Sequence, residues 1–95
     1  MRLIEQQMNQ AIADKTYFFK DNTEVTYYEG VNKSYIRLYG HCIAVYHHSS
    51  LEVNPNLAVL AEYPTATTKS RLRALDVNVY TKAHITYVDD VAVNA

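Results

Sequence analysis

A single cysteine, Cys42, leaves no intramolecular disulfide and no multi-cysteine zinc cluster to hold this chain together. Two glycines and two prolines are too few to punctuate 95 residues, so the turns must rest largely on Asn and Asp, which tolerate left-handed backbone. Neither sign of charge dominates, since nine Lys and Arg against ten Asp and Glu give a formal net charge of −1. That balance excludes a strongly acidic nucleic-acid mimic and offers no overall basic footprint. No apolar run approaches the roughly 18–20 residues needed to span a bilayer. The segment Met1-Arg2-Leu3-Ile4-Glu5-Gln6-Gln7 lacks the apolar stretch of a secretory leader. With one unpaired thiol, the expected compartment is a reducing one, the cytoplasm.

What is present is globular: 48 % hydrophobic and 20 % charged residues, in a length suited to a single domain, 1–95. Residues 2–15 have helical periodicity, with Ile4, Met8, Ala11, Ile12 and Lys15 on one stripe. Glu5, Gln6, Asn9, Gln10, Ala13 and Asp14 fill the other face, which predicts an amphipathic helix docked on a sheet. From residue 22 the period becomes two. Nine Tyr and ten Val favour strands, because aromatic and β-branched side chains suit a pleated surface.

The apolar pattern predicts a meander over 23–29, 34–39 and 42–47. A two-residue turn at Gly40-His41 would set Leu38 opposite Ile43 and Ile36 opposite Val45. A loop at 30–33 would set Tyr27 opposite Ile36 and Val25 opposite Leu38, giving one apolar face. Further on, 51–53 and 57–61 read as short strands separated by the turn Asn54-Pro55-Asn56, with Pro64 ending the second. Residues 67–75 read as a short helix with Thr67 as N-cap. Residues 77–81 and 84–88 read as a hairpin turning near Lys82-Ala83, and 89–95 as a frayed end. The predicted fold is α+β, an antiparallel β-sheet (meander plus C-terminal hairpin) with an N-terminal helix and a short second helix packed on one face.

No constellation of catalytic type emerges. Cys42 has His41 as its chain neighbour, but adjacent strand residues point to opposite faces. His41, His47, His48 and His84 share no ligand spacing, so neither a metal nor a cofactor is expected. Two surfaces are candidates for binding. If the apolar residues face the helices, the opposite sheet face carries Tyr28, Tyr35, Arg37, Tyr39 and Tyr46, a Tyr and Arg composition suited to a protein interface, a homodimer included. Separately, Lys69, Arg71 and Arg73 stand in an acid-free stretch beside Thr67, Thr68 and Ser70, a combination that could hold an anion or a nucleic-acid phosphate at a helix start.

Two blocks carry a family likeness. Leu38-Tyr39-Gly40-His41-Cys42-Ile43-Ala44 resembles a strand–turn–strand block, and Thr65-Ala66-Thr67-Thr68-Lys69-Ser70-Arg71-Leu72-Arg73-Ala74-Leu75 resembles a Thr-Thr-basic-x-Arg-Leu helix start, both found in small accessory proteins of tailed bacteriophages. Tyr63, His41 and Arg73 depart from that pattern, which has Trp, Asn and Asn there. The resemblance implies a phage-encoded protein acting in host cytoplasm, without catalytic residues. The expectation is therefore a non-enzymatic protein-binding module engaging a host or phage protein. The alternative is a nucleic-acid-binding accessory protein that uses the basic helix and the sheet tyrosines.

Overall fold

A computed structural model describes residues 1–93. Helix α1 (Leu3–Asp14) leads into strands β1 (Phe18–Lys20), β2 (Thr23–Tyr28), β3 (Lys33–Leu38), β4 (His41–His47) and β5 (Glu52–Pro55). Helices α2 (Leu57–Glu62) and α3 (Ala66–Ala74) follow, then β6 (Val79–Lys82), β7 (Ile85–Val88) and β8 (Val91–Ala92). The first five strands form one antiparallel sheet in sequence order, and β6-β7-β8 form a second. This is the α+β architecture that the periodicities predict. The C-terminal hairpin, however, builds its own sheet instead of extending the meander, and β1 and β8 are additional strands. Asp89 and Asp90 are the turn before β8 and not frayed chain. Residues 94–95, the end of that expected tail, lie outside the described residues.

One core unites the elements. Met8, Ala11 and Ile12 of α1, Leu60 of α2 and Leu72 and Ala74 of α3 pack with Val25, Ile36, Leu38, Ile43 and Ala44 of the large sheet, and Val79 and Val88 close it from the small sheet. Glu5 was expected on the solvent face of α1 and is buried, while Lys15 is the exposed C-cap. Asn56 caps α2 by accepting from the Val59 N–H, which makes 57–62 a helix and not a strand. A five-residue apolar run does not separate the two by periodicity, and the cap decides it. The N-cap of α3 lies two residues before the expected one, with Thr65 and not Thr67 accepting from the Thr68 N–H.

The strand registers also depart from expectation, in two different ways. Between β2 and β3, Val25 lies opposite Ile36 and Tyr27 opposite Ser34, across a loop at 29–32. This is a slip of two positions, so every side chain keeps its expected face. Between β3 and β4 the two-residue turn is Tyr39-Gly40, both at positive φ, and Leu38 faces His41. The register then shifts at Ile36/Arg37: Arg37 pairs with Cys42, but Ile36 pairs with Ala44. Ile43 is the extra residue of a β-bulge. Ile43 and Ala44 both point into the core, and the alternation beyond them is inverted, with Val45 on the outer face and Tyr46 packed against the core.

With so little glycine, two-residue turns use other residues at positive φ: Asp21-Asn22, Ala83-His84 and Asp89-Asp90 besides Tyr39-Gly40. Asp and Asn supply two of these four turns, and Ala83-His84 replaces the expected turn at Lys82-Ala83.

Candidate protein interface on the outer sheet face

The helices and the small sheet draw on one face of the large sheet for the core, and the outward residues of β1 to β5 form the other. Strand pairing places these outward residues in rows. Phe19, Glu24, Arg37 and Cys42 make one row, Thr26, Tyr35, Val45 and Asn54 the next, and Tyr28, Lys33, His47 and Glu52 the third. None of these twelve residues is buried.

The side chains on this face hold one another. The Arg37 guanidinium lies 3.5 Å from the Glu24 carboxylate, donates to Thr26 Oγ1 and sits 5.6 Å over the Tyr35 ring. Tyr28 meets Tyr35 edge to face at 5.1 Å. Such preset geometry lowers the ordering cost of binding, because fewer rotamers remain to be fixed. Beside them, Tyr28, Gly30, Val31, Tyr35 and Arg37 line a shallow groove of about 470 Å³. Phe19, 59 % exposed, extends the apolar area toward the β1 edge, where the Tyr17 hydroxyl donates to Glu24.

Of the five residues expected on this face, Tyr28, Tyr35 and Arg37 are together there. Tyr46 is not, because the Ile43 bulge turns it inward against His48, 4.8 Å between ring centroids. Tyr39 is not either. It occupies the turn, 68 % exposed, beside a smaller apolar crevice where His41 stacks on Tyr63 at 4.5 Å. Phe19 and Val45 belong to the face and were missed in the sequence, Phe19 because β1 is only three residues long and Val45 because the bulge is not written in the apolar alternation.

The basic helix is largely turned to internal use. Arg71 is buried: it pairs with Glu5 at 2.8 Å and donates to Thr23 Oγ1, while the Ser70 hydroxyl donates to the same Glu5 oxygen. Burial pushes the Glu5 carboxyl up, but the hydrogen bonds from Ser70, Arg71 and the Arg2 N–H overcome it and hold it below its ordinary value. Arg73 donates to the Val79 carbonyl, Lys69 donates to Thr81, and Thr68 is buried behind the Thr65 cap. Thr67 is half-buried in the first turn. These six residues do not converge into one anion cradle.

On the inner face, His48 is bonded to Ser34 Oγ at 2.8 Å and meets Tyr27 edge to face at 5.2 Å. Burial, reinforced by the Lys15 ammonium, holds its pKa below the ordinary value.

A family model described as Kyanoviridae Gp96 protein matches residues 1–95. The chain belongs to that family. As a Kyanoviridae Gp96 protein it is a cyanophage protein, in agreement with the expected phage origin. No curated protein and no solved structure matches it. Among the described residues no helix of this family member is long and apolar enough to cross a membrane.

Proposed function

We propose that the protein is a non-enzymatic binding module, a phage accessory protein that engages a host or phage protein in host cytoplasm through the outer face of its large sheet. The observation that carries this reading is the uncovered cluster of Tyr28, Tyr35 and Arg37, its side chains already in mutual contact. Tyr and Arg dominate the energetics of protein interfaces because they bury much area at low entropic cost and keep a polar handle. Membership in a cyanophage family supports the phage setting. The nucleic-acid reading is less favoured, since Arg71 and Arg73 are already bound to Glu5 and to the Val79 carbonyl.

Quantitative capture from nuclease-treated lysate of infected host cells tests the reading. Tyr35→Ala and Arg37→Ala should each weaken retention of a specific protein about thirtyfold while leaving the circular dichroism unchanged. Leu57→Ala, exposed on α2 away from this face, should retain it. Retention by all three variants alike would defeat the proposal.

A further inference from the structure

The register of β2 against β3 makes the outer face complementary to itself. Across that pair, Glu24 lies beside Arg37, Thr26 beside Tyr35 and Tyr28 beside Lys33. Consider a two-fold axis lying in the interface, parallel to the strands and running between β2 and β3. It leaves position along the strand unchanged and exchanges β2 with β3 of the second copy. Each residue then meets the counterpart of its own cross-strand neighbour: Glu24 meets Arg37, Thr26 meets Tyr35, and Tyr28 meets the Lys33 ammonium in a cation–π contact. One strand further out, Phe19 meets Cys42, so the most exposed aromatic of the ladder is covered. Every such contact occurs twice, as an isologous interface requires.

Two alternative axes bring like charges together. One along β3 sets Arg37 against Arg37, and one across the strands at Tyr35 sets Arg37 against Lys33. The ladder charges of this face, Glu24 and Glu52 against Lys33 and Arg37, cancel, so no net field repels a copy. The twist of stacked sheets rotates them by about 30°, which displaces the outer rows by only about 3 Å, within reach of Arg and Lys side chains.

Resting on the protein-interface reading of this face, we propose that a second copy of this chain occupies it, related by the two-fold axis between β2 and β3. The axis superposes four strands of each copy, β1 to β4, and four strands about 4.8 Å apart with six residues of about 3.4 Å give an overlap of roughly 400 Å². That is below the ~800 Å² of accessible surface per partner in a standard interface, so the dimer is weak and concentration-dependent.

Sedimentation velocity on the full chain, over about 10–500 µM, tests this. Wild type should pass from monomer to dimer. Glu24→Arg and Arg37→Glu, each alone, place like charges across the axis and should weaken dimerisation at least tenfold. An equimolar mixture of the two should form heterodimer, which an intramolecular role for the Glu24–Arg37 pair does not explain. Should either variant fold poorly, the rate at which maleimide modifies Cys42 in wild type reads the same interface, and it should fall as protein concentration rises. A monomeric wild type with concentration-independent Cys42 modification, or variants whose mixture does not associate, would overturn the inference. If wild type is monomeric and Tyr35→Ala still loses a captured phage or host protein, the second copy is excluded and the interface reading survives.

Discussion

Arg71 of α3 donates to the Glu5 carboxylate of α1 at 2.8 Å, with both side chains almost sealed from water. The pair joins the two ends of the core across 66 positions of sequence. Breaking a buried pair leaves one charge uncompensated, so Arg71→Met should cost about 3–5 kcal/mol in denaturant melts. Replacing both partners removes the stranded charge, and Glu5→Leu with Arg71→Met should cost less than Arg71→Met alone. A double variant at least as unstable as the single one would show that Ser70 and Thr23, and not the charge pairing, set the energetics of the site.

The Ile43 bulge predicts an asymmetry between two neighbours. Tyr46 packs against the core and Val45 is on the outer face. Tyr46→Ala should therefore destabilise by about 2–4 kcal/mol, while Val45→Ala should stay within about 0.5 kcal/mol. An unbroken alternation through β4 demands the reverse order, and urea midpoints for the two variants decide between them.

These sites also mark what the sequence discloses. The stripe Met8, Ala11 and Ile12 and the inward set Val25, Ile36 and Leu38 are legible because burial imposes the periods 3.6 and 2 directly on residue type. A register slip of two passes unnoticed in such a pattern, since it changes partners without changing faces. A bulge is different: one added residue inverts every later position, and an alternating string of Ile, Ala, Val and Tyr fits either phase. For that reason the alternation assigns Tyr46 to the same face as Tyr28, Tyr35 and Arg37, whereas the bulge turns it to the other. The Glu5–Arg71 pair was illegible for another reason. Both residues suit a solvated helix face, and only the packing of α1 beside α3 brings them together.

The Ala83-His84 turn holds two residues with side chains at positive φ, 51° and 64°. That backbone costs about 1–2 kcal/mol per residue beyond glycine's, and Asn-Gly suits such a two-residue turn. Ala83→Asn with His84→Gly should raise stability by about 1–2 kcal/mol, which for a chain of this size raises the melting temperature by roughly 4–16 °C. Calorimetry provides the check, and an unchanged or lower melting temperature would show that this turn is not where strain resides.

His48 predicts a pH dependence with a definite sign. The groups that surround it are Ser34, Tyr27 and Tyr46, with Lys15 adding positive charge above the Tyr27 ring. Burial first, and Lys15 second, depress its folded pKa below the ordinary 6.5. As pH falls, the unfolded chain takes up the proton before the native one does, so its higher proton affinity favours unfolding. Stability is thus complete above 6.5, declines as pH drops through 6.5, and stops declining from this cause once the folded pKa is passed. Glu5 acts in a lower window: its folded pKa lies below 4.5, so its contribution is present above 4.5 and is lost as pH falls through the folded value. Urea midpoints for wild type should therefore fall between about pH 7.5 and 5.5, before any carboxylate effect begins. His48→Gln, which can keep a bond to Ser34 but does not titrate, should flatten that upper step and leave the lower one intact. If the step between these pH values is as steep in the variant as in wild type, the proton responsible is not on His48.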